Sequence, residues 1–356
     1  MQTFITYLVV ALGLVALAQL VRVYELARDL KGRKEEDISI QDNKRMATMF
    51  LLFMLAFYAF YGWLLVEYAD KLLPESASAH GEDIDNLMNF NLIIVNLVFF
   101  ITNTILFVFA FKYYGNGKRK VAYFTHSNKL ELIWTVIPSL VLAVIIIYGL
   151  KVWNSITEEA PEDSMVVELY SRQFDWTARY TGADNELGNA NVRFIDGANF
   201  LGLDTKDSRG NDDIIVKNEF HLLKNKPVKF VFRSQDVIHS AYMPHFRSQM
   251  NTVPGMTTTW KMTPTKSTKE MRELPEVILK MKNINTKRAK RGEEPIDFDF
   301  TLLCNKICGA SHYNMQMKIV VDETEEEYNA WLREQKSFAE TAGLSVEPEV
   351  ELATIK

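Results

Sequence analysis

Only two of the 356 residues are cysteine, Cys304 and Cys308. That excludes a small secreted fold held by a framework of disulfides, and two thiols placed four apart near the C-terminus point to metal chemistry instead. Basic charge is not in excess either: 40 Lys and Arg stand against 45 Asp and Glu, a net charge of -5. A chain of that balance lacks the electrostatic footprint of a nucleic-acid binder. The acidity is uneven, with a net of +1 over residues 1–153 and -6 over residues 154–356. No internal repeat is visible.

Charge is missing altogether from four stretches, residues 1–21, 46–66, 86–111 and 132–150. A helix rises about 1.5 Å per residue, so roughly 20 apolar residues cross the hydrocarbon core, and each run is long enough to span. The connecting loops give an orientation. Residues 22–45 carry seven Lys and Arg and residues 112–129 carry five, whereas residues 67–89 carry only Lys71 against six acids. Basic loops stay on the cytoplasmic side, so the first and third loops are expected inside and the second outside. The N-terminus and everything after Trp153 are then outside. The first run has no positive charge before it and is expected to be an uncleaved helix rather than a signal peptide.

From residue 164 the pattern changes to short runs rich in Val, Phe and Thr, separated by Asn, Gly and Pro. Residues 165–170, 227–233, 298–303 and 315–321 are examples. In the last of these, Met315, Met317, Ile319 and Val321 recur with the period of two expected for a strand with one buried face. Several such strands without a long helical pattern among them predict an all-β sandwich behind the transmembrane helices. Two segments interrupt the strands, at 181–213 and 263–295. The basic run 280–291 within the second is expected as a solvated loop or short helix. The expected organisation is a membrane domain over 1–153 with four helices, a β domain over 154–336 that includes an acidic helix near 324–335, and a tail over 337–356.

The chemistry concentrates in Cys304-Asn-Lys-Ile-Cys308-Gly-Ala-Ser-His312-Tyr-Asn-Met315, which sits between two predicted strands. Sulfur and imidazole together favour copper, zinc or iron–sulfur over hard cations. A structural zinc site brings a second pair of cysteines, and an iron–sulfur cluster wants about four; neither is present. Covalent haem would need Cys-x-x-Cys-His, which is absent. A mononuclear blue-copper site takes one Cys and two His, one thiol fewer than here. Two thiolates are able to bridge two coppers if a second histidine arrives from elsewhere. The candidates outside the membrane loops are His221, His239 and His245.

The run Asp236-Val-Ile-His239-Ser, followed by Val253-Pro-Gly255 and then Cys-x3-Cys-Gly-x2-His-x2-Met, resembles subunit II of the haem–copper cytochrome c oxidases. In that family a cupredoxin domain holds the binuclear CuA centre. Glu131-Leu-Ile-Trp134-Thr-Val-Ile-Pro138 is similar to the start of the family's second membrane helix, and Gln173-Phe-Asp-Trp176 to its aromatic stretch. The likeness runs over about residues 88–335 without the two insertions, and the first two helices are extra to the family's hairpin. It implies His239 and His312 as imidazole ligands, Cys304 and Cys308 as bridging thiolates, Met315 as weak axial ligand and the Lys306 carbonyl as the last. It further implies Phe174 and Trp176 on the path by which electrons arrive, and Glu131 near the cytoplasmic start of a proton path into subunit I.

The implied function is the electron-input subunit of a proton-translocating cytochrome c oxidase. It would pass electrons from cytochrome c, or a cytochrome c domain of another complex, to haem in subunit I, where O2 becomes water. The implied setting is a bacterial inner membrane, with subunits I and III as partners and the CuA domain periplasmic. Three positions depart from the family pattern. Lys306 replaces a Glu whose side chain binds Mg²⁺ in relatives, Asn251 replaces the Asp before Val-Pro-Gly, and Phe174 replaces a Trp at which electrons enter. Two rival classes remain: a quinol-oxidase subunit II, which keeps the fold without the copper ligands, and a copper storage or assembly protein, which needs neither Glu131 nor the helix signature after it.

Overall fold

The four apolar runs are four helices in the computed structural model: α1 (Gln2–Leu30), α2 (Ile40–Tyr68), α3 (Ala79–Lys112) and α4 (Asn128–Thr157). The structure describes residues 2–30, 32, 38–117, 120, 122–197 and 199–342. Residues 343–356 of the expected tail, and Lys31, Arg33, Lys34, Lys118 and Arg119 of the two basic loops, lie outside the described residues. Ser39 starts α2 through a capping box, its hydroxyl accepting from Asp42 N while the Asp42 carboxylate accepts from Ser39 N. By contacts the chain forms two compact units, residues 1–70 with 94–128, and residues 71–93 with 129–356.

In the first unit, α2 lies against the second half of α3 through rings. Phe50 meets Phe107 at 5.2 Å and Tyr58 meets Phe100 edge-on at 4.8 Å. Polar side chains along these runs find partners within the protein, as a hydrocarbon surrounding favours. Tyr61 donates to Asn96 Oδ1, and Tyr58 donates to Phe100 O at 3.3 Å. Of the described side chains of α1, none is buried.

In the second unit, ten strands among the described residues form two five-stranded sheets. The strands are β1 (Met165–Arg172), β2 (Asp175–Tyr180), β3 (Ile214–Val216), β4 (Glu219–Leu223), β5 (Val228–Ser234), β6 (His239–Met243), β7 (Ser248–Thr252), β8 (Thr258–Met262), β9 (Phe300–Cys304) and β10 (Gln316–Asp322). The sheet orders are β3-β2-β1-β5-β8 and β4-β10-β9-β6-β7. Pairs β1/β5 and β4/β10 are parallel and the others antiparallel. Alternation sets the packing. Val228, Phe230 and Phe232 of one sheet and Met317, Ile319 and Val321 of the other turn inward and are buried, as the period of two predicts. Burying each such side chain stabilises by roughly 1.5–3 kcal/mol. This is the cupredoxin-like sandwich expected behind four membrane helices.

Both insertions are ordered against the sandwich. The first, 181–213, is fastened by a buried ion cluster: Arg179 pairs with Glu168 and, at 2.7 Å, with Asp213, while Arg233 reaches Glu168 at 2.8 Å. Burial, partly opposed by Arg179, pushes the Asp213 carboxyl up to about 7. Gly188 lets the insertion fold on itself, because a Cβ there would stand 2.2 Å from Gly210 Cα. The second, 263–295, differs from the expected loop or short helix. It holds α5 (Thr268–Glu273) and the fifteen-residue α6 (Pro275–Ala289). Pro275 in the first turn and Lys287 and Arg288 in the last suit a helix, and Val277 and Met281, four apart, turn one stripe toward the core. The acidic segment near 324–335 is α7 (Glu325–Arg333), capped by Thr324. The tail opens with α8 (Phe338–Ala342), whose Phe338 is buried and whose Phe338 N donates to Asp213 O at 2.7 Å.

The residues before α3 are sewn to one end of the sandwich. Ala77 N donates to His245 O at 2.7 Å, Ala79 N to Thr263 O at 3.0 Å, and Thr265 N to Ala77 O at 2.8 Å. Arg247 clamps Asp85 of α3 with two bonds of 2.7 and 2.8 Å.

Candidate metal centre

At the opposite end of β6 and β9, the chain brings sulfur and imidazole together. Register does this: β6 pairs with β9 so that Ala241 faces Cys304, and Asn305 N donates to Ser240 O at 3.0 Å. The loop after β9 then turns back and places Met315 O on Cys304 N at 3.1 Å. Cys304 at the end of one strand and His239 at the start of its neighbour are therefore close although 65 residues separate them.

The Cys304 and Cys308 sulfurs are 3.8 Å apart. That is well beyond the roughly 2.05 Å of a disulfide and close enough for both to share a bound ion. Around them, His239 Nδ1 lies 3.8 Å from Cys304 Sγ, His312 Nδ1 3.6 Å and Met315 Sδ 3.9 Å from Cys308 Sγ, and Lys306 O 3.2 Å from Cys304 Sγ. His239, Cys308 and Met315 are buried; Cys304 and His312 are half-buried. His239, Cys304 and Cys308 also form the one group of potential metal ligands among the described residues. Two thiols, with two imidazoles, a thioether and a carbonyl each close to one of them, are a donor set that fits a soft metal. Burial and the neighbouring Cys304 push the Cys308 thiol up to about 11. A metal binding here must displace protons from sulfur.

Of the three candidate histidines, His239 alone joins the sulfurs. His221 bonds Asp322 at 2.8 Å and stacks on Trp331 at 4.0 Å, and His245 packs between Phe298 and Phe300 at the other end of the domain. Several further contacts support the centre. His239 Nε2 is 2.9 Å from Asp236 Oδ1. Burial pushes the Asp236 carboxyl up, but the bonds from His239, Gln173 N and Val237 N outweigh it and hold it below the usual value. Gln173 Nε2 donates to Cys308 O at 2.5 Å. The aspartate is local to its histidine in sequence, whereas the glutamine is 135 residues from its partner and leaves no local signal.

The aromatic stretch packs on the same loop. A Cβ at Gly309 would meet the Phe174 ring at 2.8 Å, so this glycine admits the ring against the Cys308 turn. Trp176 is wholly buried with its ring 6.2 Å from that of His239, and so reaches no surface itself. The Lys306 side chain and Asn251 are exposed. Glu131 stands exposed in the first turn of α4, roughly 40 Å of helix from that helix's other end.

Four membrane-length helices carrying a two-sheet β domain with a sulfur–imidazole cluster define a membrane-anchored cupredoxin-like protein. The chain belongs to the cytochrome c oxidase subunit 2 family. The family model for the cytochrome c oxidase subunit II transmembrane domain matches residues 67–152, from the end of α2 through most of α4, leaving α1 and most of α2 outside. The alternative cytochrome c oxidase subunit 2 of Bradyrhizobium diazoefficiens is 34% identical over 263 residues, covering 73% of this chain and 83% of its own. The cytochrome c oxidase subunit 2 of Cereibacter sphaeroides is 27% identical, covering 76% and 85%. Among solved structures, the periplasmic domain of subunit II of the cytochrome oxidase of Bradyrhizobium japonicum aligns at 17% identity and a TM-score of 0.29, over 49% of this chain and 96% of that one.

Proposed function

We propose that this chain is the electron-input subunit of a haem–copper cytochrome c oxidase, and that His239, His312, Cys304, Cys308, Met315 and the Lys306 carbonyl hold a binuclear CuA centre. The observation that carries the reading is the convergence of those six donors on the sulfur pair. A copper pair held by these residues would supply a one-electron relay. The protein's part is rigidity. β6 and β9 fix His239 and Cys304, Asp236 orients His239, and Gln173 holds the Cys308 carbonyl, so the donors need not rearrange when charge changes. Phe174 over Gly309 is the inward contact for an arriving electron, with Trp176 behind it against His239.

The donor is cytochrome c or a cytochrome c domain of another complex, and the acceptor is haem in subunit I, where O2 is reduced to water with proton translocation. Subunits I and III complete the complex, with Glu131 at the start of a proton path. The basic loops favour a bacterial inner membrane with the β domain and the N-terminus on the periplasmic side. The domain limits follow as a membrane part over 1–153, a CuA part over 154–336 and a tail. The test is copper loading of the full chain in detergent followed by electron paramagnetic resonance. Hyperfine splitting by two equivalent coppers supports the reading, and a single-copper pattern contradicts it.

A further inference from the structure

Helix α6 turns outward a face that the sandwich does not use. Its inner stripe is Val277 and Met281. Outward stand Ile278 and Leu279, 52% and 60% exposed, with Lys280, Lys282, Lys287 and Lys290 exposed beside and beyond them. Of the nearby acids, Glu293 pairs with Arg288 at 3.0 Å and with Arg291 at 2.8 Å, while Glu276 in the first turn and Glu294 beyond the helix are exposed. Among the described residues, none of the four lysines has a carboxylate within ion-pair distance.

The place of this helix is set by covalent and hydrogen-bonded links to the membrane anchor. Its insertion leaves β8 at Thr263 and Pro264, which pair with Ala77, Ser78 and Ala79, the residues that lead into α3. The positive charge of Lys280 is felt at His245, whose carbonyl accepts from Ala77 N. From Ala79 to the start of the uncharged run near Leu87 is about 12 Å of helix. The insertion that carries α6 is thereby joined to the segment leading into α3, close in sequence to where that helix becomes uncharged.

We propose that the outer face of α6 binds anionic phospholipid headgroups of the leaflet on the β domain's side. Four lysines are compact, mobile charges suited to phosphates that present no fixed geometry. Ile278 and Leu279 beside them fit the boundary between headgroups and acyl chains, as in amphipathic helices lying in a membrane surface. An acidic protein would meet the same charge, and the test below separates it from lipid. The contacts of residues 77–79 tie the insertion to a membrane-length helix of the same chain, so lipid contacts made by this face would be intramolecularly favoured and weak single contacts would add up. Docked in this way, α6 holds the end of the sandwich opposite the metal cluster against the bilayer.

The test is hydrogen exchange of the segment 275–291 in the full chain, reconstituted in nanodiscs of phosphatidylcholine alone or with about 30% phosphatidylglycerol. The proposal expects exchange about tenfold slower in the anionic discs. The effect should vanish near 0.5 M salt, where screening reaches a few Å, and in K280Q/K282Q/K287Q/K290Q. The exchange of β10 should be the same in every sample, showing that the exposed substitutions leave the fold intact. Equal exchange of α6 in both discs overturns the proposal. So does protection by added poly-glutamate without any by phosphatidylglycerol, which would assign the face to an acidic protein. The copper signal of the same samples reports separately on the metal centre.

Discussion

The carboxylate of Asp236 and the imidazole of His239 meet at 2.9 Å, Oδ1 to Nε2, which leaves Nδ1 of His239 turned toward Cys304 Sγ at 3.8 Å. The carboxylate accepts a hydrogen bond from the Nε2–H and thereby orients the ring and leaves Nδ1 free to take a metal. Asp236 is itself held by Gln173 N at 2.7 Å, so the turn after β1 and the loop before β6 act together on one imidazole.

Asp236→Asn should weaken copper binding by about 10–100-fold while the two-copper spectrum persists, because the ring loses its charged orienting partner and not its ligand atom. Competition with a copper chelator measures this. Unchanged affinity would mean that the strands alone orient His239.

The sulfur cluster separates its members by role. Cys304→Ser or Cys308→Ser should abolish the two-copper signal, since a hydroxyl does not bridge with thiolate covalency, whereas Met315→Leu should keep both coppers with a changed potential. A titration of potential on each variant distinguishes the two outcomes. A two-copper spectrum surviving in either serine variant would contradict the assignment.

Arg179 joins Glu168 and Asp213 inside the domain. Arg179→Met would leave buried carboxylates short of their counter-charge and should cost about 3–5 kcal/mol of stability. Asp213 gives a pH signature. Its folded value, about 7, lies above the ordinary 3.8, so it binds a proton more readily folded than unfolded. Its contribution is present at low pH and is lost as pH rises through the folded value. Relative to Asp213→Asn, the wild type should therefore lose stability between about pH 4 and 7. Thermal unfolding of both at several pH values checks the sign, and a constant difference would refute it.

Topology is testable by labelling. Ser76 is half-hidden, whereas Leu72 in the same loop is 61% exposed. In the Cys304→Ser/Cys308→Ser background, Leu72→Cys should react with an impermeant reagent from outside intact cells, and Lys120→Cys should not. The reverse pattern would invert the orientation.

Lys306 offers its carbonyl to the cluster while its side chain is exposed. Lys306→Met should therefore leave the copper spectrum unchanged and weaken association with subunit I, read by co-purification. A changed spectrum would show that the side chain serves the metal after all.

What the sequence made legible depended on how local the signal was. The four uncharged runs and the alternation of Met317, Ile319 and Val321 are properties of consecutive residues, and helices and strand stand where they predict. Cys304, Cys308, His312 and Met315 share twelve residues, so their spacing spoke for itself. Helix α6 did not, because its many lysines masked the single stripe of Val277 and Met281 that anchors it. Gln173 on Cys308 O, and residues 77–79 on His245 and Thr263, are contacts between distant segments that leave no periodic trace.

The most direct measurement of the central claim is copper content together with electron paramagnetic resonance of the full chain in mild detergent. The account predicts about two coppers per chain with one electron shared equally between them. One copper per chain, or a spectrum split by a single nucleus, would contradict it.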